Sequence, residues 1–385
     1  MYMKKKSRIW LLLIFAFSLN CETIYAQNET LTPFQYNGNW GFIDNEANVV
    51  IDPVYSNITP SWDDPFSENG LAAVEANGKW GYINRNGETV IPFKYDYARK
   101  FSKNGLAAVK IDENVSYIDE AGEVILPNIS KYTMGVFSDN GLASVSNDQM
   151  ISGYMNESGE IVIPFGYDQA DEFGENGLAR VGIDGGDGIE YGYINESGEI
   201  IISTSYEMMG LYFDEEGLVC AEDENGKVGY FDEKGNIAVP FQYDNGGIMF
   251  GFRCGLAPVS VNGRWGYIDK EGETVIAFQY DQANPFSANG LAAAQIDGKW
   301  GYIDRGGDFV IPPQYDWAGL FDEDTAIVEM DGKEGMINAA GDMIVSCQYD
   351  SIFSTISQSK WVKCSLNDDI KYINRKTGAI WKYEP

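Results

Sequence analysis

Along almost the whole chain, apolar and polar residues alternate in short runs broken by Gly, Asn or Asp. Alternation with a period of two puts every second side chain on one face, which predicts half-buried strands. The runs come in threes. The first is of the type Asn69 to Val74, Asn-Gly-Leu-Ala-Ala-Val; the second of the type Trp265 to Asp269, Trp-Gly-Tyr-Ile-Asp; the third of the type Val90 to Asp96, Val-Ile-Pro-Phe-x-Tyr-Asp.

The breaks between the runs carry their own geometry. Asn77-Gly78, Asn225-Gly226, Asn262-Gly263, Asp297-Gly298 and Asp331-Gly332 join first and second runs. They predict two-residue type I′ hairpins, which need positive φ at both central residues. Asp or Asn followed three residues later by Gly joins second and third runs, as in Asn84 to Gly87, Asn156 to Gly159 and Asp269 to Gly272. That spacing suits a type I turn closed by a glycine bulge. Pro92, Pro164, Pro240 and Pro312 hold one place in the third run, which is therefore expected at a sheet edge or a bend, since proline cannot donate to a ladder. The glycine after Trp is expected at a bulge or a close backbone approach.

The triplet recurs ten times, its anchors centred on Phe42, Tyr82, Tyr117, Tyr154, Tyr193, Tyr230, Tyr267, Tyr302, Met336 and Tyr372, at spacings of 34 to 40 residues. A lone three-stranded meander cannot cover its own apolar face, so neighbours must stack. The expected fold is all-β: a tandem array of about ten three-stranded antiparallel β-meanders, elongated or superhelical and solenoid-like. A β-propeller is the alternative, placed second because propeller blades usually have four strands and number about eight at most.

The motif Trp-Gly-Tyr-Ile-Asp, followed by Gly-Glu-x-Val-Ile-Pro and Tyr-Asp, resembles the WG β-repeat of bacterial exported proteins. The resemblance spans the chain from about Leu31 to its end, although Val115, Ser152, Tyr191, Val228, Glu334 and Ile370 stand where other copies have Trp. It implies a generic binding surface and no common activity.

The N-terminus departs from the repeat. Lys4, Lys5, Lys6 and Arg8 precede an apolar stretch from Trp10 to Leu19, and Ile24-Tyr25-Ala26 ends in a small residue. This pattern is expected of a signal peptide over residues 1–26, leaving 27–385 as the repeat domain. A lipid anchor on Cys21 is the competing expectation, weakened by Leu19-Asn20 before the cysteine. No later run approaches the roughly 20 apolar residues of a membrane helix. The expected location is thus exported: periplasmic, outer-membrane-associated or extracellular.

Charge narrows the partners. The chain carries 27 Lys+Arg against 58 Asp+Glu, and cleavage after Ala26 would leave 23 against 57, a net charge of −34. Such a chain repels phosphate backbones and anionic headgroups, which argues against nucleic acid. Of the cysteines beyond the leader, Cys220 and Cys364 sit at Ala or Val stations and are expected to pack as small hydrophobes. Cys254 and Cys347 complete the set, and spacing alone does not decide whether Cys347 and Cys364 pair.

There is no histidine, which removes Ser-His-Asp and Cys-His nucleophiles and histidine zinc sites. Asp96, Asp168, Asp244, Asp281, Asp316 and Asp350 recur after Tyr, and a residue repeated at one station is expected to serve structure. Trp40, Trp80, Trp265 and Trp300 could form a carbohydrate ladder, but one aromatic per stacked unit more often builds core. Two features break the repeat. Asp184, Asp187 and Glu190 on a glycine-rich insertion offer oxygen ligands for Ca²⁺, against the plainer expectation of a long hairpin. Trp62, Asp63 and Asp64 form an insertion suited to a partner contact, against a local packing plug.

The functional expectation is an exported, non-enzymatic module without cofactor, acting in protein–protein interaction or scaffolding at the cell envelope. Carbohydrate or peptidoglycan binding is the alternative, and a carboxylate-dependent glycan hydrolase ranks third.

Overall fold

The computed structural model describes residues 30–59, 64–130, 133–246, 251–354, 359–367 and 369–384. Every regular element among them is a strand, and the strands form ten antiparallel sheets in chain order. The protein is a ten-bladed β-propeller, not an open solenoid of three-stranded meanders. Eight blades have four strands, and blades 1 and 4 show three among the described residues.

The strand that the repeat pattern does not announce is two residues long in seven blades and four, Ser351–Ser354, in blade 10. In blade 2 it is Asn57–Ile58, followed by Leu71–Ala76, Lys79–Asn84 and Thr89–Tyr95. The next such strand, Tyr97–Ala98, follows Tyr95 after the single residue Asp96, yet it pairs with Ala107–Ile111 of blade 3. One stretch of chain therefore ends one sheet and begins the next. Asp96 forms the corner: its carboxylate accepts from Lys79 Nζ at 2.6 Å within its own blade and from the Asp112 N–H at 3.0 Å in the hairpin of blade 3. The pattern repeats with Asp244, Asp316 and Asp350. The Lys79 hydrogen bond holds the Asp96 carboxyl below its usual range. These repeated aspartates tie blades together.

Closure is visible in the core. The buried apolar side chains fall into ten clusters, one between each pair of successive blades and the tenth between blades 10 and 1. In the last, Phe34 and Ile43 of blade 1 pack with Trp361 and Tyr372 of blade 10. Each blade is thus buried on both faces, which suits its alternating pattern: Trp80 and Tyr82 face blade 3, while Ala72, Val74 and Ile83 face blade 1. A buried side chain of this size contributes roughly 1.5–3 kcal/mol, so ten two-sided interfaces stabilise the ring.

The tyrosine of the second run is the recurrent fastener. Tyr82 is fully buried, packs on Phe101 of blade 3 with the rings tilted and their centroids 4.8 Å apart, and donates its hydroxyl to the Arg99 carbonyl at 2.7 Å. Tyr154, Tyr193, Tyr267 and Tyr302 do the same with Asp171, Gly210, Asn284 and Gly319. The glycine beside it has a steric cause: a Cβ on Gly81 would lie 2.7 Å from the Ile91 carbonyl oxygen. Two blades lack that glycine, and both reshape the neighbouring strand. Ser116 accepts a hydrogen bond from the Asn128 N–H, with Asn128 at φ 53°; Lys371 faces a fourth strand of only two residues, Ile380–Trp381.

The type I′ hairpins form at Asn77-Gly78, Asn262-Gly263, Asp297-Gly298 and Asp331-Gly332, with φ between 51° and 75°. Asn225-Gly226 does not. There Asp223 Oδ1 accepts from the Asn225 and Lys227 N–H groups, and only Gly226 has positive φ, so a five-residue connection replaces the two-residue one. The side-chain acceptor of Asp223 wins over the Asn-Gly preference. The third-run strands, with Pro92, Pro164, Pro240 and Pro312, lie at sheet edges.

Candidate functional site

In the blades that show four strands, the connection between the first two lies toward the middle of the ring. In blade 2 it runs Phe66-Ser67-Glu68-Asn69-Gly70. Asn69 Oδ1 accepts from the Leu71 N–H, the Gly70 N–H bonds back to the Ser67 carbonyl, and φ 77° at Gly70 turns the chain. Ser67 Oγ accepts from the Phe101 N–H of blade 3 at 3.1 Å, and Ser102 Oγ from Phe137 of blade 4 at 3.2 Å. The connections are thereby laced side by side, leaving the residue after each serine to face outward: Glu68, Lys103 and Asp139.

A cavity of about 840 Å³ touches these connections from five consecutive blades, 2 to 6, which places it on the concave side of the ring. Its wall includes Glu68, Asp139, Glu172, Glu175, Asp214 and Glu233 against only Lys100 and Lys103. Both lysines are engaged: Lys103 Nζ pairs with Asp139 at 2.6 Å, and Lys100 Nζ donates to the Asp64 carbonyl at 2.8 Å. Burial raises the carboxyl of Glu172, with Arg99 at 3.8 Å opposing it. Burial likewise raises that of Asp214, opposed by the N–H groups of Phe252, Leu218 and Glu216. The cavity is anionic.

A second cavity, of about 670 Å³, adjoins it in blades 5 to 7 and is largely apolar, with Met208, Met209, Leu211, Phe213 and Leu218 in its wall. Tyr212, Phe213 and Asp214 belong to both. At its rim Arg180 is held by Asp171 at 2.8 Å and lies 4.5 Å above the Tyr191 ring.

The residues singled out in the sequence lie elsewhere. Trp62 and Asp63 fall outside the described residues, as do Cys21 and the leader. Asp64 caps the Phe66 N–H and pairs with Arg85, which lies 4.8 Å over the Phe66 ring, so it braces blade 2. Asp184 closes a long hairpin, accepting from the Gly186 N–H, and its own N–H bonds to Asp168. Among the described residues no three Cys, Asp or Glu side chains gather at metal-ligating distance, so Asp184, Asp187 and Glu190 are not assembled as a Ca²⁺ cage. Trp80 and Trp300 are buried, and Trp40 and Trp265 pack against the core, which leaves no tryptophan ladder. Cys220, Cys254, Cys347 and Cys364 are free thiols. Burial pushes Cys220 up to about 12, as befits a core hydrophobe. The sequence reading passed over the central cavity; its legible signals were the extra residues before Phe137 and Phe213.

A model of the WG containing repeat matches residues 40–80, 80–114, 153–186, 191–227, 229–265, 265–300, 300–333 and 335–358. The chain belongs to the WG-repeat family. The unmatched stretch between 114 and 153 holds the blades where Val115 and Ser152 replace Trp. No curated protein matches this WG chain in sequence. Among solved structures, a eukaryotic initiation factor aligns over 93% of this chain and 96% of its own, at 13% identity and a TM-score of 0.52, a likeness of fold alone. BamB from Moraxella catarrhalis aligns over 85% of this chain and 94% of its own at 11% identity, with a TM-score of 0.38. No helix among the described residues of the WG propeller is long and apolar enough to cross a membrane.

Proposed function

We propose that this WG propeller is an exported, non-catalytic scaffold that binds a protein partner at the cell envelope through the acidic middle of its ring. The observation that supports it is a division of labour. The repeated Tyr, Trp, Gly and Asp residues are committed to blade-to-blade packing, whereas the residues flanking the repeated phenylalanines in the wall of the central cavity differ from blade to blade. Variation on a rigid repeated frame is where a specific surface is written. The absence of histidine and the surplus of carboxylates suit recognition of a basic partner better than acid–base chemistry.

The test is cross-linking of the purified protein to envelope extract of its own host. One protein retained in stoichiometric amounts and released by salt is expected. Retention of glycan fragments without a protein would overturn the reading.

A further inference from the structure

We infer that the paired cavities at blades 2 to 7 are the docking site for an extended segment of a partner protein, one carrying a Lys or Arg side chain beside an apolar side chain. This rests on the scaffold reading and names the chemistry that the site takes.

The frame itself is broken here. In four pairs the fastening tyrosine and the phenylalanine that it packs on are 19 residues apart, Tyr82 and Phe101, Tyr154 and Phe173, Tyr267 and Phe286, and Tyr302 and Phe321, whereas Tyr117 and Phe137 are 20 apart and Tyr230 and Phe252 are 22. Tyr193 and Phe213 are 20 apart, while Tyr193 still donates to the carbonyl of Gly210, 17 residues on, as in the regular blades. The extra residue therefore lies between Gly210 and Phe213. It leaves Leu211 and Tyr212 at 41% and 54% exposure, unlike the buried aromatics around them. Tyr212 stands in the wall of both large cavities and of a third recess of about 330 Å³ beside Arg99, Asp171 and Glu172.

The serine lacing fails here, as it does also at Ser287 of blade 8. Ser138 Oγ lies in the wall of the anionic cavity, is buried, and has no hydrogen-bond partner, whereas Ser67 and Ser102 each accept from the next blade. Blade 5 carries Gly174 at that station, and blade 6 carries Asp214, whose carboxylate takes the Phe252 N–H at 2.6 Å instead. Inserted chain, exposed aromatic and unlaced serine coincide with the two cavities.

The chemistry of the walls selects the occupant. The first cavity presents six carboxylates, with both of its lysines already engaged, so it attracts a cation. At about 840 Å³ it is far too large for a bare ion and fits a long side chain with its backbone. The second presents Met208, Leu211, Tyr212 and Leu218 and takes an apolar group. Because they share the wall from Tyr212 to Asp214, neighbouring residues of one extended segment, which point to opposite sides, reach both. An exposed tyrosine at such a junction is the usual anchor of an interface.

Anisotropy titrations of the purified protein test this, using two labelled peptides and a chito-oligosaccharide. One peptide alternates Lys with Leu; the other replaces every Leu with Gly. Saturable one-to-one binding of the Lys-Leu peptide is expected, at least about tenfold tighter than the Lys-Gly peptide and weakened by salt. Tyr212→Ala combined with Glu172→Gln should lower affinity about tenfold or more. Glu175→Gln alone should lower it a few-fold, and Glu271→Gln, an exposed turn residue of blade 7, should not. Unfolding midpoints confirm that each variant folds, and Glu175→Gln carries the test if the double variant does not.

The inference is overturned by no saturable peptide binding, by equal binding of both peptides, by equal losses in Glu271→Gln, or by oligosaccharide binding that Tyr212→Ala abolishes. A partner captured from envelope extract while the peptides fail would overturn this site and leave the scaffold reading standing. Capture of glycan alone would remove both.

Discussion

The interface between blades 2 and 3 and the one between blades 10 and 1 do the same task with different means. At the first, the chain itself crosses, from Tyr95 through Asp96 to Tyr97, and Tyr82 donates its hydroxyl to the Arg99 carbonyl. At the second, the partners are more than 300 residues apart and side chains replace the crossing strand. Tyr372, at the station of Tyr82, turns its hydroxyl into an acceptor for the Gln35 N–H at 2.8 Å. Phe34 packs against Trp381 at 5.1 Å and Tyr383 at 5.3 Å, and Thr32 and Ser359 share a hydroxyl hydrogen bond of 2.7 Å. Closing so long a loop costs entropy that grows only slowly with length, and nine packed interfaces already hold the ends close. Extra aromatic contact therefore suffices where backbone continuity is missing.

The comparison can be broken most severely at the glycine station. Gly81→Val is expected to cost about 3–5 kcal/mol, because the new Cβ would meet the Ile91 carbonyl and the Phe93 backbone. Lys371→Val at the equivalent place in blade 10 should cost under about 1 kcal/mol, since its neighbour strand stops at Trp381. Urea unfolding of both variants compares them, and equal costs would deny the steric account.

Alkali acts on several interfaces together. Burial raises the hydroxyls of Tyr82, Tyr154, Tyr267, Tyr302 and Tyr372 above the ordinary value of 10.0. For an acid raised on folding, the stabilisation is complete below the unfolded value and is lost as pH rises from there through the folded one. The ring should lose stability steadily above pH 10.0, and tyrosinate absorbance should appear with unfolding instead of before it. Tyrosinate forming in the intact ring would count against buried fasteners.

Smaller effects sharpen the contrast of donor and acceptor. Tyr82→Phe leaves the Arg99 carbonyl without its partner and Tyr372→Phe strands the Gln35 N–H, each at about 1–3 kcal/mol. Hydrogen exchange should speed up around blades 2 and 3 for the first and around blades 1 and 10 for the second. Smallest is Lys79→Met, which removes an exposed ion pair and should cost under about 1 kcal/mol. The lowered carboxyl of Asp96 contributes stability present above its ordinary range and lost as pH falls through its folded value. In Lys79→Met that acid-side dependence should shrink, as acid titration of the variant would register.

Strand and turn assignments were legible because their causes are local. Asn77-Gly78 forms its hairpin from two residues' own φ preferences, and the alternation in Leu71 to Val74 survives as two buried faces. Asn225-Gly226 misled because Asp223, two residues earlier, supplies a stronger local acceptor. The central cavity was illegible for another reason: Glu68, Asp139, Glu172 and Tyr212 are far apart in the chain and look like ordinary exposed positions one by one.

By itself, then, the sequence determined an all-β repeat, its ten units, their antiparallel runs and most turns, since period-two alternation and turn chemistry act within a few residues. Only the tertiary structure decided that the array closes. The strand that makes a blade four-stranded is two residues long in seven blades and four in blade 10, too short to show a period, and it pairs into the sheet after the one that the preceding strand ends. Closure depends on small rotations summed over ten interfaces, and on Phe34 meeting Tyr372, Trp381 and Tyr383 from the other end of the chain. No window along the sequence contains both sides of that contact.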